Sequence, residues 1–486
     1  MADAIITPPV RLAETLGAKL RRLARDAERG NPTSNLPWKA PPAYAQGEAI
    51  KTGNVRASGG NWYEALSTAT TAGASGPTHT IANPAFDGAG STGVLWSWIG
   101  AARMAADDAA APTVSVEAYG SPSLGLLYQP VSHPSRFRML GATPEVYSTT
   151  QWKPAVFQSK SGTTVYGASS GIEFMVFDSA FALDHVAFAQ GMTVIVDGRF
   201  VSLDHDGVPS SSQWLKIALP GGMREHRVEV RGRRDDWNFR GVRVSTLGQV
   251  YAPPATDLVR AVFVEDSIGA GSNYGPYMVG QTLHRQFGDL VGIRDMWSLA
   301  KGGTGYIAKD VDGASYSYAE RLAQAVALKP DIIFFAGSSN DRGTRAGTPF
   351  ASTPITAADL TAAALSTYRT LRGLGYAGPI VSFGIAPIDD SAEVAAAKIA
   401  YAEQAVADAV TAFADPQCWF VPVRTDPAGP WVTGAWNNET TPTSANSALV
   451  TNIDPGDKTH PGAFGVSYYA QRRATAFKRS VLPNIR

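Results

Sequence analysis

Cysteine is nearly missing from this chain: among 486 residues there is one, Cys418. A lone cysteine excludes an intramolecular disulfide and a cysteine metal cluster. It stands in "PQCWFVPV", which reads as a buried strand, so a packing role is expected. Histidine is scarce as well, at seven. Net charge is absent, because 42 Lys and Arg balance 42 Asp and Glu. No global field then draws the protein to nucleic acid or to an anionic membrane, and no nucleic-acid partner is expected. No apolar run reaches the roughly 18 residues that would cross a bilayer. The opening "MADAIITPPVRLAETLGAKLRRLARDAERG" lacks the apolar centre of a secretory signal. Synthesis in a cytoplasm is expected, with any later extracellular life reached by another route, such as release within a virus particle.

What is abundant is glycine (48), proline (32) and tryptophan (11), a composition of turns, β-structure and aromatic surface. The length exceeds what one core supports, so several domains are expected. Residues 1–47 read as a helix with a leucine stripe (Leu12, Leu16, Leu20, Leu23) and a Pro-rich linker. That helix either packs on its own protein or serves attachment and assembly, including a homo-oligomer or a virion. Residues 48–111 read as a small module of short aromatic strands between Gly/Ser/Thr turns. Trp62, Tyr63, Trp96 and Trp98 crowd it. Flat rings suit the faces of sugars, although rings so placed also make the core of a tiny domain. Residues 112–254 alternate with period two throughout, as in "GIEFMVFD", "MTVIVDGRFVSL" and "HRVEVRGR", which predicts a β-sandwich or jelly roll. From 255 to 486 apolar strands alternate with helices, which predicts a parallel sheet covered on both faces, with ligands beyond the carboxyl ends of its strands.

Those ends carry chemistry-bearing residues. The first strand runs into "EDSIGAG", with Ser267 at the turn. A serine hydroxyl needs a base, and His460, in the loop "DKTHP" ahead of the last helix, can return to it. Asp457 stands three residues before His460, where it can accept from the ring and fix its tautomer. His284, inside a helix, reads as a surface or packing residue. An oxyanion would need donors: the Ser267 N–H, Gly303 in "AKGGTGY" and the Asn340 amide in "GSSND".

In order and position, "VEDSIGAG", "AKGGTGY", "GSSND" and "DKTHP" resemble the four blocks of SGNH (GDSL-type) hydrolases, over roughly residues 257–486. The resemblance implies a flavodoxin-like α/β domain with Ser267 as nucleophile, His460 as base and Asp457 as its orienter. Gly303 and Asn340 would join Ser267 in the oxyanion hole, and no metal or cofactor would be needed. The family's Gly-Asp-Ser is Glu-Asp-Ser here, and Glu265 is expected either to shift the turn or to project a carboxylate near the site. The preceding β-region resembles the jelly-roll domain of two-domain carbohydrate esterases. The aromatic module resembles small chitin-binding-like modules, which also occur in phage tail proteins. Together they imply an esterase removing acyl groups, above all O-acetyl, from a carbohydrate or polysaccharide. The alternative is a receptor-binding tail protein with a vestigial hydrolase.

Three other motifs lead elsewhere. "GASSG" matches a nucleophile elbow, but a strand follows Ser169 where a helix is required. "GAGSNYG" misses the dinucleotide-loop spacing. His205 in "LDHDG" reads as a polar turn rather than a metal ligand, and "RGRRDDWNFRGVR" as a solvated, charge-mixed strand pair.

Overall fold

The computed structural model describes residues 14–30, 37–67, 69, 71–80, 85–88, 92–104, 106–158, 164–166, 170–184, 192–203, 213–232, 237–254, 258–271, 282–309, 316–385, 400–432 and 460–486. Leu12, Ser169, His205 and Asp457 lie outside them.

The carboxyl-terminal half forms a five-stranded parallel sheet. Its spatial order is Asp295–Ser298, Arg260–Val264, Ile332–Ala336, Ile380–Phe383, Cys418–Val421. In chain order that is 2-1-3-4-5, the doubly wound arrangement whose topological switch lies between the first and third strands. Strands buried on both faces read as continuous apolar runs, and "IIFFA" is buried at every position. The helices take the alternating places, and the one at Ala357–Gly373 starts at a capping box of Thr356 and Asp359. Cys418 is buried in the edge strand, where burial pushes its thiol up to about 12.

Ahead of this sheet stand two antiparallel sheets, one built around Gly171–Asp178 and Arg224–Gly232, the other around Ala180–Asp184 and Gln213–Ala218. Their facing sides share one core, with Phe174 and Phe181 meeting edge to face at 6.3 Å. Val196 pairs with Arg199 across Asp197 and Gly198. Both turn residues have positive φ (51° and 82°), the two-residue hairpin turn that this sequence pattern favours. A smaller antiparallel sheet, Val55–Ser58, Asn61–Ala65, Leu95–Ala101 and Ala85–Phe86, makes the aromatic module.

The helix Leu16–Gly30 packs on its own protein. Leu20 and Ala24 are buried in the main core, Lys19 Nζ donates to the Leu258 carbonyl, and Arg21 donates to those of Leu482 and Ile485. In the charge-mixed strand pair the first charge, Arg231, is not solvated. Arg231 is 2% exposed and grips Asp289 through two bonds of 2.8 Å. Glu229, equally buried, gathers Arg231, Arg285 and Arg294. Asp289, Arg285 and Arg294 belong to the α/β half, so these bonds join it to the sandwich. Burying charge is tolerable only when it is paired in this way.

Candidate active site

The first strand ends at Val264, and two residues later Asp266 caps a short helix, Ser267–Ala270, by accepting from the Ile268 N–H at 2.9 Å. Ser267 therefore sits on the turn, half-buried, at the carboxyl end of the strand beside the switch point. The loop from the neighbouring strand closes on it. Leu299 and Lys301 donate to the carbonyls of Phe263 and Glu265 at 2.8 and 3.0 Å. A Cβ placed on Gly302 would stand 3.5 Å from Ser267 Cβ. Gly303, next in the loop, has φ +74° and is exposed, a left-handed conformation that glycine takes without cost.

The third strand brings Asn340 to the same place. Its side-chain amide donates to the Thr304 carbonyl at 3.0 Å, and Ser338 Oγ donates to the same oxygen at 2.8 Å. Gly303, immediately before Thr304, and Asn340 are thus held side by side. The Asn340 amide has two hydrogens, so one donor remains after the Thr304 bond. Below them Asp341 is fully buried and accepts from the N–H groups of Tyr306, Ile307 and Ala308. Burial raises its carboxyl to about 6 despite these three bonds.

His460 is half-buried just ahead of the final helix, Ala463–Ser480. It lies near enough to Asp266 for its charge to bear on that carboxyl. Burial and then the Glu265 charge raise Asp266 to about 6, and the Ile268 bond and His460 oppose the rise. Ser267, Gly303, Asn340 and His460 thus belong to the carboxyl-end loops of one sheet, while Asp457 falls outside the described residues.

Three further groups hold this arrangement, and sequence reasoning missed their roles. Glu265 points inward, 1% exposed. It takes two bonds from Arg473 (2.8 and 2.5 Å) and one of 2.6 Å from His284 Nε2. His284 is therefore no surface residue: it is buried, stacks on Phe263 at 4.1 Å, and meets Ser298 Oγ at 2.8 Å. Burial alone would lift the Glu265 carboxyl, but the Arg473 charge and these bonds hold it at about 2. Arg321, also fully buried, donates to the carbonyls of Glu265 and Leu299 and to Thr304 Oγ1, stitching two strand ends to the glycine loop. Burial lowers its guanidinium to about 10.

The four aromatic residues of the small module lie inside it: Trp62, Tyr63 and Trp96 are at most 1% exposed and Trp98 is 9%. Trp96 Nε1 bonds Asp87, Trp98 Nε1 bonds Asn61, and the Tyr63 hydroxyl bonds the His79 carbonyl. Tyr63, Trp96 and Trp98 share the module's own core, whereas Trp62 packs with sandwich residues and Ala463. They serve as core, and Trp98 also docks the module by stacking on Phe464 of the final helix at 4.5 Å. Among the described residues no group of His, Cys, Asp or Glu could hold a metal ion, and no helix is long and apolar enough to cross a membrane.

No family model and no curated protein sequence matches the chain. Solved structures similar to it include a family two carbohydrate esterase from Cellvibrio japonicus, with TM-score 0.48 and 13% identity over 76% of this chain and 99% of that one. Others are the salicylyl-acyltransferase SsfX3 from a tetracycline biosynthetic pathway (0.46, 15%, 75% and 100%) and the acetyl xylan esterase Est2A from the rumen bacterium Butyrivibrio proteoclasticus (0.45, 14%, 76% and 99%). The chemistry of the site is read from its own residues.

Proposed function

We propose that this protein is a serine esterase of the SGNH type that hydrolyses an acyl ester on a carbohydrate, with O-acetyl as the preferred group. One observation carries the reading. Ser267 and Asn340 leave the carboxyl ends of the two strands that flank the switch point, and Asn340 is bonded to the loop of Gly303. That arrangement supports reading Ser267 as a nucleophile with donors beside it, at the edge where such sheets bind their ligands.

In the reaction His460 takes the Ser267 proton as Oγ attacks the ester carbonyl. The N–H groups of Ser267 and Gly303 and the free Asn340 N–H receive the oxyanion. On collapse the sugar oxygen leaves with the proton from His460 and the acyl group stays on Ser267. His460 then takes a proton from water, the hydroxide displaces the acyl group, and Ser267 regains its proton. Asp457 would accept from the other ring nitrogen and fix the tautomer. The sandwich, read as a jelly roll over 112–254, and the module over 48–111 would hold a polymer in front of the 255–486 domain.

The test is hydrolysis of p-nitrophenyl acetate, butyrate and octanoate by wild type and Ser267→Ala, followed by acetate release from a panel of acetylated polysaccharides. Wild type is expected to favour acetate, and the variant to lose on the order of 10⁵–10⁶ in rate. Inactivity of both proteins on every ester and every polysaccharide would refute the proposal.

A further inference from the structure

Between the aromatic module and the final helix lies a cavity of about 260 Å³, lined by Trp62, Ile99, Arg103, Phe464, Ser467 and Gln471 among others. Phe464, Ser467, Tyr468 and Gln471 fall on one stripe of the helix, the spacing that puts side chains on one face. The stripe begins four residues after His460. Trp62 shares a cluster with Ile195, Phe200 and Leu203 of the sandwich and with Ala463, the first residue of that helix. The cavity is therefore bounded where module, sandwich and α/β domain meet, beside the segment that presents His460.

Its chemistry is specific. The strand pairing slips between Trp62 and Tyr63, so that Trp62 faces Gly100 and Tyr63 faces Trp98. A bulge of this kind re-aims side chains, here that of Ile99, which lines the cavity. The Trp62 indole N–H is shielded from water and has no acceptor among the described residues. Leaving a buried donor unmet costs about 1–3 kcal/mol. Such a group in a cavity wall points to an acceptor that arrives with a ligand. The Arg103 guanidinium stands 5.2 Å from the Trp62 ring centroid, and the residue is itself on the exposed surface.

We propose that this cavity is a sugar subsite, taking one pyranose ring of the polymer several units from the ring that bears the acyl group. Apolar walls with a serine hydroxyl, a glutamine amide and a guanidinium match a ring that has C–H faces and hydroxyls around its rim. Its volume falls below the roughly 300–1,000 Å³ of drug-sized sites and suits a single ring. A ring hydroxyl or acetamido oxygen accepts from Trp62 Nε1, and Ser467, Gln471 and Arg103 meet the rim of the ring. As a statement about substrate this rests on the esterase reading; as a statement about binding it does not.

The test follows the Trp62 indole resonance by 15N NMR, assigned by its loss in Trp62→Phe. Glucose, galactose, mannose, xylose, N-acetylglucosamine and glucuronate are titrated in turn. At least one is expected to move that signal with a Kd of roughly millimolar, the range for one ring in a small site. Gln471→Ala, changed on the exposed helix face, is expected to weaken the binding several-fold. If none of the six sugars moves the signal, or if Gln471→Ala binds as wild type does, the inference falls. Sugar binding by a protein inert towards all esters would sink the esterase reading alone, and ester cleavage with an unmoved signal would sink the subsite alone.

Discussion

Glu265 stands where the family resemblance expects glycine, and its carboxylate lies in a fully buried ion pair with Arg473. The pair joins the nucleophile's strand to the helix that follows His460, so it fixes how those two residues face each other. Its carboxyl is held at about 2 against an ordinary 4.5. A depressed carboxyl stabilises the fold fully above the unfolded pKa, and that contribution is lost as pH falls from 4.5 through about 2. It amounts to roughly 3 kcal/mol. Urea midpoints measured against pH are expected to fall steeply over that window in wild type. In Glu265→Gln they should start lower and fall less; parallel curves would show that the ion pair does not carry the effect. The strand-end blocks singled out Ser267, Gly303, Asn340 and His460, and the structure brings all four to the carboxyl-end loops of one sheet. The Glu265–Arg473 pair was not legible in the sequence, because its members are 208 residues apart. A signal did exist: Arg473 falls on the same helical stripe as Val466, Tyr469, Ala470 and Phe477, all buried. A charge on an apolar stripe asks for a buried partner.

At the scale of elements, the helices and strands of the α/β half followed the change of period, since continuous apolar strands and striped helices leave few alternatives. The docking of elements was less legible. The leucine stripe of Leu16–Gly30 showed that something covers it, but not that the cover combines the helix Leu283–Val291 with the far end of the chain. Gly17 marks the contact: a Cβ there would stand 1.9 Å from the Ile485 carbonyl oxygen. Gly17→Ala should therefore push the helix outward and cost about 1–3 kcal/mol, as overpacking does. Limited proteolysis is expected to cut the variant first within residues 14–30, and an unchanged cleavage pattern with an unchanged melting temperature would contradict this contact.

For the whole molecule, the arginine–carboxylate ladder between sandwich and α/β domain has the larger consequence. Glu229 bonds Arg231, Arg285 and Arg294, which Asp289 and Glu173 answer as well. Removing one member of a buried pair costs about 3–5 kcal/mol, because its partner stays buried and charged. Wild type is expected to melt in one calorimetric transition, with sandwich and α/β domain unfolding together. Glu229→Ala should separate the two transitions, and a variant that still melts as one unit at the wild-type temperature would rule the ladder out as the coupling.

The contact between the first described helix and the last residues also sets an order in time. Arg21 bonds a carbonyl 461 residues further along the chain. At roughly 5–20 residues per second a ribosome needs about 20–90 s to make that stretch. For that interval the helix has emerged while the residues that meet Gly17 and Arg21 do not yet exist. The docking of this helix on residues 482–485 is therefore completed only after nearly all of the chain between them has been made.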